Sequence, residues 1–104
     1  MGSTEDPRLT APTLKVLGIL MSCPRGEVSG AEIARNTKLA SGTLYPILMR
    51  LEQAGWVESR WETEDPHQLG RPRRRFYQLT GSGAKKTRLA FREISTAIGG
   101  PAWR

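Results

Sequence analysis

The chain has 104 residues and carries 16 lysines and arginines against 10 aspartates and glutamates, a net charge of +6. This length predicts one domain, and the positive charge favours a polyanionic partner, either nucleic acid or an anionic membrane surface. A single cysteine, Cys23, excludes an internal disulfide, and with a single histidine, His67, it disfavours a structural zinc site. No apolar run approaches the roughly 20 residues needed to span a bilayer, so no membrane helix is expected.

The N-terminal segment 1–9 shows little pattern and is predicted to be disordered. Its polar, acidic start is not typical of a signal peptide, so a cytoplasmic protein is expected. A first helix is predicted to begin near Thr10, with Pro12 in its first turn, where the missing N–H costs nothing. Pro24 and Gly26 are predicted to end this helix.

Two further helices are predicted in close succession. Ser29 and Glu32 have the spacing of a capping box, which opens a short helix through about Arg35. After a short turn, Ser41 is predicted to cap a third helix that ends at Gly55, a favoured residue just beyond a helix C-terminus. Two helices separated by so short a turn predict a helix-turn-helix.

The third helix is predicted to be amphipathic. Leu44, Ile47, Leu48 and Leu51 follow the i, i+3, i+4, i+7 spacing of one buried face. The opposite face and the preceding turn carry candidate contacts to DNA, because a recognition helix meets base edges and phosphates there. These candidates are Lys38, Ser41, Gly42, Thr43, Tyr45, Pro46, Met49 and Arg50. An ordinary amphipathic surface helix would show the same pattern, so this helix alone does not decide between the two.

Two strands are predicted after the third helix. Residues 56–62 alternate in polarity, residues 73–79 form the return strand, and residues 63–72 between them contain prolines and a glycine typical of a loop. Trp56 and Trp61 are predicted to lie in the core or in cross-strand pairs, although either could also line a flat apolar ligand site.

A final helix is predicted near residues 83–98, capped by Thr80 or Ser82. The fold class that follows is α+β, mainly α: a winged helix-turn-helix with three helices, a two-stranded wing and a C-terminal dimerisation helix. Its domain is predicted to occupy residues 10–98, followed by a tail over residues 99–104.

The loop between the strands ends in four arginines within five positions, Arg71–Arg75. Gly70-Arg-Pro-Arg73 resembles hooks that place guanidinium groups in a narrow minor groove. Arg71, Pro72, Arg73 and Arg74 are therefore candidate DNA contacts. We expect Arg71 and Arg73 to project toward the duplex. A charged loop that only solubilises the protein is the alternative, but clustered arginines repel one another and need a compensating anion.

No catalytic constellation is evident, and no enzyme activity, metal or cofactor is expected. Glu62, Glu64 and Asp65 could mimic a metal cluster, but a solvated loop is favoured. Cys23 is interpreted as a semi-buried small residue.

Several motifs together resemble the PadR family of bacterial transcriptional regulators. They are Leu44-Tyr-Pro-Ile-Leu-Met-Arg-Leu-Glu52, Ala54-Gly-Trp-Val57, Gly70-Arg-Pro-Arg-Arg-Arg-Phe-Tyr77 and Leu79-Thr80-x-x-Gly83. The resemblance covers about residues 10–98 and implies a homodimeric winged helix that represses nearby genes until a small apolar effector relieves it. It also implies DNA contacts by Tyr45 and by Arg71–Arg73.

The C-terminus is shorter than in many members of that family. This chain resembles a short-tailed subgroup, in which the last helix pairs with the first helix across the dimer, so a small aromatic or apolar effector would lie at the dimer interface. Surplus apolar surface on the two helices points to the same pairing. The residues expected at this interface are Leu14, Leu17, Met21, Phe91, Ile94 and Ile98.

Two rival interpretations are open at this point. A winged-helix module that binds proteins would carry an apolar or acidic wing, which Arg71–Arg75 contradict. A sensor that captures a flat ligand between tryptophans would be distinguished by fluorescence titration.

Overall fold

The computed structural model describes residues 6–23 and 27–97. The described part is mainly helical with a small antiparallel sheet, as the sequence predicts. In chain order, its elements are α1 (Ala11–Met21), β1 (Val28–Ser29), α2 (Gly30–Thr37), α3 (Ser41–Gln53), β2 (Val57–Trp61), α4 (Pro66–Leu69), β3 (Arg75–Leu79) and α5 (Gly81–Ala97). No helix in these ranges is long and apolar enough to cross a membrane.

Helix α1 begins as predicted, with the Thr10 hydroxyl accepting the Thr13 N–H at 3.3 Å. The helix ends at Met21, and the predicted stop residues Pro24 and Gly26 lie outside the described residues. The described residues also exclude residues 1–5 of the segment predicted to be disordered, Ile98 and the tail.

Residues 6–9 differ from that prediction because Asp6 is tied to the folded domain. Its Oδ1 accepts the indole N–H of Trp56 at 3.1 Å and a hydrogen bond from Lys86 at 3.0 Å. The Trp56 bond first, and then Lys86, hold the pKa of Asp6 below its usual value.

The helix-turn-helix forms with two differences of detail. The capping box of α2 is present: Ser29 Oγ accepts the Glu32 N–H at 3.1 Å, and Glu32 Oε1 accepts the Ser29 N–H at 3.0 Å. The helix continues to Thr37, beyond its predicted end. Ser41 does not cap α3, because the extended residue Ala40 is the N-cap and its carbonyl already accepts the first helical N–H groups.

The sheet has the strand order β1-β3-β2, with every pair antiparallel. Strand β1 was not predicted, because two residues are too few to show an alternating pattern. Strand β3 begins at Arg75 instead of residue 73, and the loop predicted between the strands contains the short helix α4. Gly70 ends this helix with a φ of +70°, a backbone conformation that favours glycine.

One core fills the space between α1, α2, α3 and the sheet. It contains the predicted apolar face of α3, all of it buried, together with Trp56. Trp61 is not a core residue, since 55% of its surface is exposed. It lies at the end of β2, paired with Arg75.

Helix α5 is held against the start of β2 by the Thr80–Gly83 turn. The Thr80 hydroxyl donates to the Gly55 carbonyl at 2.7 Å and accepts the Gly83 N–H at 2.9 Å, so Thr80 is the cap. Gly83 is buried so closely that a Cβ atom there would lie 2.0 Å from the carbonyl oxygen of Trp56. The Leu-Thr-x-x-Gly motif therefore has a packing role.

Candidate nucleic-acid interface

The outer face of α3 is free, as its spacing predicts. Ser41, Gly42, Thr43, Met49 and Arg50 are exposed. Pro46 is half-buried, and the helix continues through it to Gln53. The side chains that could enter a groove thus stand on a helix whose other face is fixed in the core.

Lys38 occupies the turn that joins α2 to α3. Its backbone is left-handed, with a φ of +62°, which is unfavourable for a residue with a Cβ atom. Its N–H donates to the Ala34 carbonyl at 2.8 Å, and its side chain is exposed. This left-handed residue ends α2 and leaves an exposed cation just before α3.

Tyr45 projects from α3 across the first turn of α2. The residue is 44% exposed, and its hydroxyl is close enough to Gly30 that a Cβ there would lie 2.7 Å away. The absence of a side chain at Gly30 therefore leaves room for the ring. This contact could not be predicted from the sequence, because the two residues lie in different helices.

A cavity of about 410 Å³ lies between the helix-turn-helix and the wing. Its walls include Gly30 and Tyr45 on the helical side and Arg73, Arg74 and Trp61 on the wing side. Tyr45 of α3 and the wing arginines therefore share one side of the molecule.

Arg71 is not free to contact DNA in this structure, contrary to expectation. Its Nη1 and Nη2 atoms donate to the two carboxylate oxygens of Glu62 at 2.7 and 3.0 Å, and Nη1 also donates to the Pro72 carbonyl at 3.0 Å. The pKa of Glu62 is lowered from its usual 4.5 to about 2. The main cause is the hydrogen bonding by the Arg71 side chain, and the second is the hydrogen bond from the Arg74 N–H. The compensating anion thus comes from the chain itself.

Arg73 and Arg74 are exposed and form no ion pair with any carboxylate that the structure describes. The Nε–H of Arg73 donates to the backbone carbonyl of Glu64 at 2.9 Å, which orients the side chain without neutralising it. Exposed Pro72 precedes them. These two arginines are the free charges of the cluster.

Arg75 has a structural role. Its guanidinium donates to Ser59 Oγ at 2.8 and 3.0 Å and lies 3.4 Å from Glu52 Oε1. It also stands 5.5 Å from the ring centre of Trp61, within the range of a cation–π contact. Arg75 therefore links the end of α3 to both strands of the wing.

The expected dimer residues divide into two groups. Leu17 is fully buried in the core of the single chain, so it has no surface to offer a partner, and its assignment to the interface was wrong. The others described, Leu14, Met21, Phe91 and Ile94, are half-buried on α1 and α5. These two helices contact each other within the chain.

Neither of the alternative sites suggested by the sequence is assembled. Among residues 6–23 and 27–97, no group of His, Cys, Asp or Glu is placed to hold a metal ion. Trp56 and Trp61 line different cavities, so they do not face each other across one ligand site.

The helix-turn-helix, the antiparallel wing and the basic side between them define a winged-helix protein. The PadR-like family of transcriptional regulators matches residues 19–89, and the chain belongs to that family. A comparison with curated proteins gave no match.

Solved structures of similar fold include smu.1704 from Streptococcus mutans, with 30% identity and a TM-score of 0.66, covering 90% of this chain and 87% of that one. Overoxidized AbfR bound to DNA has 28% identity and a TM-score of 0.70, covering 88% and 61%. A DNA complex of S. aureus MepR has 22% identity and a TM-score of 0.66, covering 86% and 67%. The chain spans 60% of a mutant MepR chain and 61% of the disulfide form of AbfR.

Proposed function

We propose that this protein is a non-enzymatic, homodimeric repressor that binds specific DNA sites in the cytoplasm and is released by a small apolar effector. The observation that carries the proposal is the cavity that Tyr45 of α3 shares with Arg73 and Arg74, whose guanidinium groups pair with no carboxylate that the structure describes. The DNA-bound structures of AbfR and MepR, which have a similar fold, support DNA as the partner.

Helix α3 and the wing would contact different parts of the DNA. Thr43, Tyr45, Met49 and Arg50 on α3 would enter the major groove, where each base pair has a distinct pattern of donors and acceptors. Lys38 and the first turn of α3, formed by Ser41 and Gly42, would approach the phosphates.

The wing would bind the adjacent minor groove or its phosphates through Arg73 and Arg74, with Pro72 keeping the backbone extended. Such contacts position the protein, because phosphates carry little sequence information. A protein-binding wing is disfavoured because Arg73 and Arg74 are exposed and unpaired, although Trp61 and Pro72 are exposed beside them.

A second copy of the chain would complete the DNA-binding unit. The half-buried residues Leu14, Met21, Phe91 and Ile94 form apolar surface on adjacent helices, and symmetric pairing would bury it. Two recognition helices would then contact half-sites about 34–36 Å apart. Phe91→Glu should yield monomers in sedimentation experiments, whereas an unchanged dimer would place the interface elsewhere.

The effector would occupy a small site next to α5, which is lined by none of the residues expected at the dimer interface. A cavity of about 220 Å³ there is lined by Leu9, Trp56, Leu89 and Ala90, with Asp6 and Lys86 at its polar side. This volume is smaller than the roughly 300–1,000 Å³ of drug-sized ligand sites, which favours a compound of about one aromatic ring. Titration of tryptophan fluorescence with such compounds would detect it.

The test of DNA binding is a salt titration of wild type and Arg73→Ala/Arg74→Ala. Each phosphate contact contributes about 0.9 to the slope of log affinity on log salt. A dimer with two wings would lose up to four contacts, so the slope should flatten by about 3 to 4 units. Specific and non-specific binding should weaken together.

The matched control is Arg88→Ala/Arg92→Ala, which removes two exposed arginines of α5 that do not line the cavity between α3 and the wing. Its slope should stay near that of wild type. Equal slopes for all three proteins would show that the wing does not touch the duplex.

A further inference from the structure

Glu62 joins the two ends of the loop between β2 and β3. Its carboxylate binds the fork of Arg71 and accepts the backbone N–H of Arg74 at 2.9 Å, while its own N–H donates to the Arg74 carbonyl at 2.9 Å. Only 12% of the side chain is exposed, which is low for a carboxylate beside a solvated loop. Four hydrogen bonds thus fix residues 71 and 74 to the end of β2.

Arg71 is half-buried in this arrangement, with 30% of its side chain exposed. To reach DNA, it would have to leave a bidentate, charge-assisted pair. Its departure would also expose the Glu62 carboxylate on the side of the protein that faces the phosphates, where like charges repel. Arg71 is therefore better placed to neutralise Glu62 than to neutralise DNA.

Arg74 depends on the same carboxylate for its position. Both its N–H and its C=O are bonded to Glu62, so the direction in which its side chain leaves the backbone is fixed. Arg73, the residue before it, is further oriented by its bond to the Glu64 carbonyl. The two free guanidinium groups therefore project from a backbone that Glu62 holds.

We propose that Glu62 is a positioning residue for DNA binding, whose carboxylate keeps Arg71 off the duplex and presents Arg73 and Arg74 to it. This proposal rests on the proposed DNA-binding function. The wing then contributes two cations per protomer, and the first arginine of the Gly-Arg-Pro-Arg segment is part of the scaffold.

Glu62→Gln separates this proposal from a simple effect of net charge, because the two predict opposite changes in DNA affinity. Removing a negative charge near DNA should tighten binding if only net charge matters. If Glu62 positions the wing, the variant should bind about tenfold more weakly, since ordering the loop would then be part of the cost of association. The amide resonance of Arg74 should also move, which reports directly on its bond to the carboxylate.

Glu64→Gln is the matched control. It removes an identical charge from an exposed side chain that lies only two residues after Glu62. Its affinity should equal or slightly exceed that of wild type. Tightening by both variants would overturn the proposal. Unchanged melting temperatures would show that weaker binding by Glu62→Gln does not reflect unfolding.

Arg71→Gln and Arg73→Gln supply the second test. Arg73→Gln should flatten the salt slope by about 1.8 units for a dimer, whereas Arg71→Gln should weaken binding with the slope unchanged. Combining Glu62→Gln with Arg71→Gln should cost no more than either change alone, because neither charge is then left unpaired.

Flattening of the slope by Arg71→Gln would mean that Arg71 contacts phosphate, which would overturn the proposal while leaving DNA binding intact. A wild-type protein without salt-dependent DNA binding would instead refute the proposed function, and this inference with it.

Discussion

Gly83→Ala should destabilise the domain far more than the addition of one methyl group would suggest. Gly83 does not have a left-handed backbone, so the reason is space alone. The new Cβ atom would lie 2.0 Å from the Trp56 carbonyl oxygen and 2.6 Å from its carbonyl carbon, where an ordinary contact is 3.4–4 Å. The obstacle is backbone, which cannot rotate away, so α5 has to move.

That movement would break the bonds that hold the turn. The Thr80 N–H donates to the same Trp56 oxygen at 2.9 Å, and the Gly83 N–H donates to the Thr80 hydroxyl at 2.9 Å. Overpacking typically costs about 1–3 kcal/mol, and each lost hydrogen bond about 0.5–1.5 kcal/mol. We therefore expect a loss of about 3 kcal/mol or more. For a domain of this size, that lowers Tm by roughly 12–24 °C.

The assay is thermal unfolding by circular dichroism at one protein concentration, with Gly81→Ala as the control. Gly81 opens the same helix, and a Cβ there meets no atom within 4 Å. Its variant should be neutral or gain up to about 1 kcal/mol from the better helix propensity of alanine. Similar Tm values for the two variants would refute the packing argument.

Three further predictions concern the side of the protein that is proposed to face DNA. Tyr45→Ala should weaken DNA binding at least about tenfold with little change in Tm, because the ring is half exposed; unfolding of the variant would contradict this. Lys38→Gly should raise the unfolding free energy by about 0.5–1 kcal/mol by relieving the left-handed backbone, yet flatten the salt slope by up to about 2 units per dimer. The Glu62 carboxyl should titrate at about 2 by NMR, and Arg71→Gln should return its pKa toward 4.5. Because the folded pKa is lowered, the contribution of this pair is complete above about pH 4.5 and is lost as the pH falls toward 2, so wing order should not vary between pH 6 and 9.

Local patterns predicted the helical part of the fold well. The buried face of α3, the capping box of α2 and the role of Gly55 after α3 depend on neighbours within a few residues, which the sequence displays directly. Strand β1 was not predicted, because it is defined only by its pairing with Tyr77 and Phe76, about fifty residues away in the sequence.

The wing shows where sequence reasoning reached its limit. The cluster of arginines indicates a basic surface, but it does not reveal which guanidinium is already paired. Glu62 binds Arg71 across a loop that contains the short helix α4, and neither that helix nor the bond has a periodic signature. Leu17 was misplaced for a related reason, since one apolar stripe on α1 serves both the core and the surface.

The link from Glu52 through Arg75 to Ser59 has a consequence for how binding preference evolves. It fastens the C-terminal end of α3 to the strands that carry the wing, so the two elements hold one relative orientation. A substitution that rotates α3 would therefore also displace the wing. If the proposed DNA binding holds, new sequence preferences should arise through paired substitutions whose effects are strongly epistatic, or through exchange of exposed α3 side chains that leave this link intact.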